Sequence, residues 1–359
     1  MAEKVLMKGN EAIAESAIRA GCRFFFGYPI TPQTELAAYM AKRMPKEGGT
    51  YLQAESEVAA INMVYGAAST GERVITSSSS PGVSLKQEGI SYMAGARLPA
   101  MILNVMRGGP GLGSILASQG DYFQATKGGG NGDYHLITYA PSSIQEAIDI
   151  MMFAYDKAEK YRVPCLILAD GIMCQMMEPV EMPGMIEFKV DPEKKPWAAT
   201  GWKPGDDPEK RAVINSLFIN TEELSVHNNL LQATYREIEK EERMWECYKT
   251  EDADIIITAF GTVARIAKSA VDELRNRGVK AGVFRPITVW PFPYDQLKEA
   301  SLSCKAILDV EANEGQMKED VLLAINGTKP VDYFGHCGSQ MPTTDEIIAK
   351  VQEMIEEVK

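Results

Sequence analysis

Close cysteine pairs are missing from this chain. Its six cysteines, Cys22, Cys165, Cys174, Cys247, Cys304 and Cys337, contain no C-x-x-C spacing. Iron–sulfur clusters and structural zinc sites usually draw on such pairs, so the chain is expected to hold neither by itself. Scattered cysteines of this kind are expected as buried thiols rather than disulfides. Histidine is scarce as well: only His135, His227 and His336 are present, which argues against a histidine-rich metal site. No run of about 18 apolar residues occurs, so no membrane-spanning helix is expected. The segment Met1-Ala2-Glu3-Lys4-Val5 lacks the apolar core of a signal peptide, and a cytoplasmic protein is expected. Basic charge is in deficit, with 37 Lys and Arg against 49 Asp and Glu, a net charge of −12. A nucleic-acid surface would need a basic stripe, and none is expected here. No internal repeat of solenoid length is present.

What is there suits a globular protein of more than one domain. The chain has 359 residues, of which 45% are hydrophobic and 24% charged. That length is long for one core and comfortable for two. From Gly9 to about Gly184, apolar strand patterns alternate with amphipathic helical ones. "CRFFFGY", "TYLQA", "RVITSSS", "AMILNVM", "HLITYA" and "PCLILAD" read as strands. Asn10 is a candidate cap for "EAIAESAIRA", and Thr31 for a helix with Pro32 at its first position running to about Met44. Ser143 and Glu146 form a capping-box pattern before a long helix. Strands of this continuous apolar kind, interleaved with helices, predict a parallel sheet covered on both faces.

Residues 186–250 differ. "DPEKKPWAATGWKPGDDPEKR" reads as an extended connection, and "TEELSVHNNLLQATYREIEKEERMWECYKT" as one long polar helix. A second α/β unit begins near Ala253, with strands at "ADIIITAFGT", "KAGVFRP", "KAILDVEA" and "VDYFGH" and a final helix near "TDEIIAKVQEMIEEVK". The expected division is therefore 1–185, 186–250 and 251–359.

Ligands of open parallel sheets gather at the carboxyl ends of the strands. Three features fall there. Tyr28-Pro29-Ile30-Thr31-Pro32 follows the first strand, and a helix start offers free N–H groups and a hydroxyl to an anion. Glu57 lies in the first turn of "SEVAAINMVYGAAST"; Glu55 is equally eligible by spacing, since acidic residues favour helix starts in general. Arg107 follows "AMILNVM" and opens a glycine-rich stretch, "RGGPGLGSILASQGDYFQATKGGGNGDY". An arginine so placed can clamp a carboxylate bidentately, or simply form a surface ion pair. The glycines lack the Walker spacing, and "GGPGLG" opens a loop rather than a helix, so neither a P-loop nor a dinucleotide fingerprint is present. A loop of this length is usually functional or disordered.

Four stretches, "GYPITPQTEL", "QAESEVAAINMVYGAASTG", "TSSSSPGVSLKQEGISYMAG" and "RPITVWPFP", resemble the alpha subunit of 2-oxoacid:ferredoxin oxidoreductases. The likeness runs from about Gly9 to the C-terminus, and the Tyr-Pro-Ile-Thr-Pro motif is its most specific part. Length and layout most resemble the branched-chain, 2-oxoisovalerate type, with the 2-oxoglutarate, indolepyruvate and pyruvate types and a non-catalytic scaffold as alternatives. The resemblance implies a pyrimidine-type thiamine diphosphate domain followed by a domain like the C-terminal one of transketolases. It implies oxidative decarboxylation of a 2-oxoacid, with coenzyme A taking the acyl group and ferredoxin the electrons. A beta subunit would bind the diphosphate, magnesium and an iron–sulfur cluster, and gamma and ferredoxin-like delta subunits would complete the assembly. The Gly-Asp-Gly of the diphosphate motif is absent here, in keeping with that division.

By the same resemblance, Glu57 matches the glutamate that bonds N1′ of the aminopyrimidine. A proton held between a buried carboxyl and N1′ favours the imino form at the 4′ nitrogen, which then acts as a base. Thr31 matches the threonine that bonds substrate oxygens, and Arg107 the arginine near the substrate carboxylate. "RGGPGLG" is the form seen in the branched-chain and 2-oxoglutarate types and differs from the pyruvate type, which leaves the partner of Arg107 open. Tyr28 and Pro29 are expected beside the cofactor, shaping the turn rather than reacting.

Overall fold

The computed structural model of the chain describes residues 4–357. The strands are β1 Lys4–Lys8, β2 Phe24–Gly27, β3 Thr50–Gln53, β4 Val74–Ser78, β5 Met101–Met106, β6 Ile137–Tyr139, β7 Cys165–Asp170, β8 Met177–Glu181, β9 Trp245–Tyr248, β10 Ile255–Thr258, β11 Ala281–Pro286, β12 Thr288–Trp290, β13 Ala306–Glu311 and β14 Val331–Gly335. The helices are α1 Gly9–Arg19, α2 Thr34–Arg43, α3 Glu57–Ser69, α4 Pro81–Gly95, α5 Tyr122–Thr126, α6 Ile144–Tyr161, α7 Gly171–Gln175, α8 Thr221–Glu241, α9 Gly261–Asn276, α10 Tyr294–Ala300, α11 Lys318–Ile325 and α12 Thr344–Glu357.

The larger sheet has the order β12-β6-β7-β5-β4-β2-β3. All its pairings are parallel except that of β12 with β6. β5 and β7 are buried at every residue, because helices cover both faces. Small residues let those helices approach closely. At Gly89 of α4, an added Cβ would fall 2.5 Å from Ile61 Cγ2 of α3, so only glycine permits that crossing. A second sheet, β14-β13-β10-β11-β9, is parallel apart from its edge strand β9. β1 and β8 form a separate antiparallel pair.

Several local expectations need correction. Asn10 does not cap α1, which begins at Gly9 with no side-chain cap; its Nδ2 instead donates to Pro32 O at 2.9 Å. Thr31 does not cap α2, and Pro32 is not in its first turn; the helix begins at Thr34 after a turn with a cis Thr31–Pro32 peptide. The long polar helix stops at Glu241, and "WECY" leaves it to become β9. The reason lies in pairing: β9 satisfies its backbone against β11, an option that local helical pattern cannot reveal. β12 likewise crosses from the second unit to pair with β6 of the first sheet. The Ser143 cap forms, with its Oγ accepting from Glu146 N at 3.1 Å, while the Glu146 carboxylate takes the N–H of Ser142 rather than of Ser143.

The extended connection straps the first unit. Ala199 N donates to Ser69 O at 2.8 Å, and the Arg73 guanidinium stacks on Phe188 at 4.5 Å. Gln119 joins the glycine-rich stretch to the second unit: its Nε2 donates to Phe260 O, and its Oε1 accepts from Ala312 N.

Candidate functional site

β5, β4, β2 and β3 are neighbours in the sheet, so the segments leaving their carboxyl ends share one edge. These segments carry Arg107, Ser79 and Ser80, the Tyr28–Gln33 turn, and Glu57. The topology thus places every sequence-derived candidate on that edge.

The turn after β2 is held by Gln33, which is fully buried. Its Nε2 donates to Tyr28 O at 3.0 Å, and its Oε1 accepts from Ser77 Oγ at 2.7 Å. Thr31 is exposed at the tip. Its carbonyl accepts from Arg107 Nη1 at 2.9 Å, while its hydroxyl is not committed to helix amides. Tyr28 is exposed and Pro29 half-buried beside it.

Arg107 is not a surface ion pair. It is 5% exposed and makes no ion pair with a carboxylate among the described residues. Its second guanidinium arm donates to Leu112 O at 2.9 Å, and Nε is buried with no partner. Its backbone N–H donates to Ser80 Oγ at 2.9 Å. A buried cation without a directly paired carboxylate is costly unless an anion arrives to share it. Ser80 stands in a strained conformation, with φ of 28°, immediately before α4. Its hydroxyl donates to Asp121 Oδ2 at 2.6 Å, which also accepts from Asn104 Nδ2 at 2.9 Å. Burial pushes the Asp121 carboxyl above its usual range, against the pull of those two bonds and of the Arg107 charge.

Glu57 opens α3. Ser56 caps the helix, its Oγ accepting from Ala59 N at 3.1 Å. Glu57 is 6% exposed whereas Glu55 is exposed, so the fold separates two residues that spacing left equal. No hydrogen bond among the described residues reaches the Glu57 carboxylate. Gly82, in the first turn of α4, lies directly against it: a Cβ there would sit 2.7 Å from Glu57 Oε1 and would collide with Ser78 Oγ. The hydroxyls of Ser78 and Ser79 are buried without partners. One turn along α4, Lys86 is completely buried, and its Nζ donates to Thr76 Oγ1 and Ser77 O.

A cleft of about 620 Å³ opens between the glycine-rich stretch and the second unit, lined among others by Ser80, Asp121, Asn313, Glu314 and Cys337. Thr31 and Glu57 lie outside that lining.

Sequence reading missed Lys86, Asp121 and the roles of Ser78 to Ser80. The serine run at a strand's carboxyl end was the available signal. So was a lysine at i, i+4 from Gly82 on a face that otherwise carries glycine and isoleucine.

A parallel sheet with a buried, unpartnered carboxyl and a glycine floor at its carboxyl edge defines an α/β protein of the cofactor-binding kind. Residues 15–246 match the family described as "Pyruvate flavodoxin/ferredoxin oxidoreductase, thiamine diP-bdg", and residues 253–347 match "Pyruvate:ferredoxin oxidoreductase core domain II". The chain therefore belongs to the pyruvate flavodoxin/ferredoxin oxidoreductase family. It is 44% identical over 350 residues to the ketoisovalerate oxidoreductase subunit VorB of Methanothermobacter marburgensis, covering 97% of each chain. It is 36% identical over 375 residues to the 2-oxoglutarate synthase subunit KorA of the same organism, covering 99% of this chain and 100% of that one. A solved 2-oxoglutarate:ferredoxin oxidoreductase from Magnetococcus marinus, with 2-oxoglutarate, coenzyme A and succinyl-CoA bound, superposes with a TM-score of 0.87 at 26% identity. That match takes in all of this chain and 66% of the other.

The residues present fit an aminopyrimidine. Glu57 offers a carboxyl that no protein donor occupies, Gly82 leaves the space a side chain would fill, and Ser78 and Ser79 supply uncommitted hydroxyls.

Proposed function

We propose that this chain is the alpha-type subunit of a thiamine-diphosphate-dependent 2-oxoacid:ferredoxin oxidoreductase acting on 2-oxoisovalerate. The observation that carries the reading is the buried, unpartnered Glu57 carboxyl at the carboxyl edge of the parallel sheet. Thiamine diphosphate, when bound, supplies the electron sink for decarboxylation. Glu57 holds a proton at N1′ of its pyrimidine. Thr31 and Arg107 orient the 2-oxoacid, with the exposed Thr31 hydroxyl and the spare Arg107 Nε as donors. Tyr28 and Pro29 form the rim of the pyrimidine site.

The half-site is completed by a beta subunit, which brings the diphosphate-binding loop, magnesium and an iron–sulfur cluster. Gamma and delta subunits pass electrons to ferredoxin, and coenzyme A accepts the acyl group. The assembly works in the cytoplasm. The identity of 44% to a ketoisovalerate subunit, against 36% to a 2-oxoglutarate one, supports the branched-chain substrate.

The test is reconstitution with the products of neighbouring genes, followed by viologen reduction across a panel of 2-oxoacids with coenzyme A. The expected result is the highest kcat/KM for 2-oxoisovalerate. A higher value for 2-oxoglutarate or pyruvate would overturn the substrate assignment, and no turnover of any 2-oxoacid would overturn the enzymatic one.

A further inference from the structure

Asp121 has no part in the roles given so far. It stands one residue before α5, where an aspartate ordinarily accepts an N–H of the first helical turn. Its carboxylate makes no such bond. It turns to two other segments instead: Oδ2 accepts from Ser80 Oγ at 2.6 Å and from Asn104 Nδ2 at 2.9 Å. Asn104 lies in β5, three residues before Arg107, and its Oδ1 accepts from Ser80 N at 3.0 Å. Ser80, Asp121 and Asn104 thus close a ring that ties the end of β4 to β5 and to the glycine-rich stretch.

Chemistry sets the direction of each bond in the ring. A backbone N–H can only donate, so Oδ1 of Asn104 faces Ser80 N and Nδ2 faces Asp121. Ser80 Oγ gives its proton to Asp121, which leaves a lone pair for the Arg107 N–H at 2.9 Å. A second acceptor for that proton, Arg107 O, is further off at 3.3 Å. Oδ1 of Asp121 has no hydrogen bond among the described residues, and the residue lines the cleft beside the glycine-rich stretch. A proton on that oxygen would leave the ring intact, so the ring needs the acceptor at Oδ2 rather than the charge. Ser80 itself has φ of 28° and ψ of −85°, a conformation that glycine enters far more readily. What serine adds there is the hydroxyl that links Asp121 to Arg107.

We propose that Asp121 is a positioning residue for the 2-oxoacid: through Ser80 it fixes the end of β5, and with it the point from which the Arg107 guanidinium reaches the substrate carboxylate. The proposal rests on the reading of Arg107 as a carboxylate clamp.

The test is steady-state kinetics of the reconstituted complex with 2-oxoisovalerate, together with Tm. Wild type, Asp121→Ala, Asp121→Asn, Ser80→Gly, Arg107→Lys and the double variant Asp121→Ala/Arg107→Lys are compared. Asp121→Ala should raise KM roughly tenfold, the scale of a lost hydrogen bond to a charged group, with kcat changed by less than about twofold. Asp121→Asn keeps an acceptor oxygen and should bring KM back to within about twofold of wild type. Ser80→Gly relieves the backbone strain while losing the hydroxyl, so Tm should stay within about 3 °C although KM rises as in Asp121→Ala. A merely structural role would not separate the two readouts in that way, and this variant also serves if Asp121→Ala fails to assemble. With Arg107→Lys already present, Asp121→Ala should add less than about twofold, because the clamp it positions is gone. An unchanged KM in assembled Asp121→Ala or Ser80→Gly overturns the proposal. So does an Asp121→Asn variant as impaired as Asp121→Ala, or full additivity with Arg107→Lys. If Arg107→Lys alone leaves KM unaltered, the clamp itself fails, which separates the two failures.

Discussion

Arg107 shows how a single residue changes meaning once it is placed. In the sequence it could be a clamp or a surface ion pair. In the fold it is buried, with two carbonyls on its fork and no directly paired carboxylate among the described residues. A guanidinium kept in that state is poised for an anion. Replacing it by alanine would also strand Thr31 O and Leu112 O, at a cost of about 1–3 kcal/mol, so that variant mixes stability with binding. Arg107→Lys is cleaner, because it keeps the charge and loses the fork. In the reconstituted enzyme, KM for the 2-oxoacid should rise roughly tenfold, about 1.4 kcal/mol, with Tm little changed. An unaltered KM would exclude a carboxylate clamp. Other residues were legible to different degrees. The position of Glu57 could be read from its segment, but its burial could not, since that depends on Gly82 arriving from α4. Thr31 was read as a cap from its place before a proline. Gln33 takes over the turn because it reaches both Tyr28 and Ser77, a three-dimensional fact with no local signature.

Among the elements, β13 carries a device that its apolar pattern hides. Asp309 and Glu311 point to the same side of the strand, both fully buried. Glu311 takes Asn313 Nδ2 at 2.8 Å, Met317 N at 2.9 Å and Lys318 N at 3.1 Å. Asp309 takes Thr258 Oγ1 at 2.7 Å, and its other oxygen is buried without a hydrogen-bond partner among the described residues. Burial first, and the Glu311 charge second, push the Asp309 carboxyl well above its usual range. The folded state thus keeps a proton that the unfolded chain releases at the ordinary carboxylate pKa. The stability linked to that proton is full below the ordinary value and is lost as pH rises toward the elevated one. Asp309→Asn keeps the acceptor for Thr258 and removes the ionisation. It should raise Tm at pH 8 by roughly 1–2 °C, about 1 kcal/mol, and flatten the fall of Tm between pH 5 and 8. A lower Tm at pH 8 would show that the buried pair contributes in another way. Ten of the strands were legible from their own segments. β1, β8, β9 and β12 were not, because each is defined by a distant partner rather than by its own pattern.

At the scale of the whole molecule, the two sheets are interlocked. β12 extends the first sheet from the second half of the chain, and β9, which precedes β10, edges the second. Ser118 and Gln119 bind Ala312, and Tyr122 donates to Asp320 at 2.7 Å. This stapling fixes the strand ends on which Arg107 and Ser80 depend. The apolar side chains of Leu112, Ile115 and Leu116 stand out from the same stretch, with Leu112 81% exposed. The family, and with it the need for partner subunits, could be read from four quoted motifs. The way Glu57, Gly82 and the serines after β4 come together could not, because it depends on contacts between distant segments. The decisive measurement is therefore made on the reconstituted complex: exchange of the C2 proton of bound thiamine diphosphate with deuterium, followed by NMR after acid quench. With Glu57→Gln in an intact complex, exchange should slow by about 100-fold or more, the scale of a lost general acid–base contribution. Exchange at the wild-type rate would contradict the assignment of Glu57 and the function built on it.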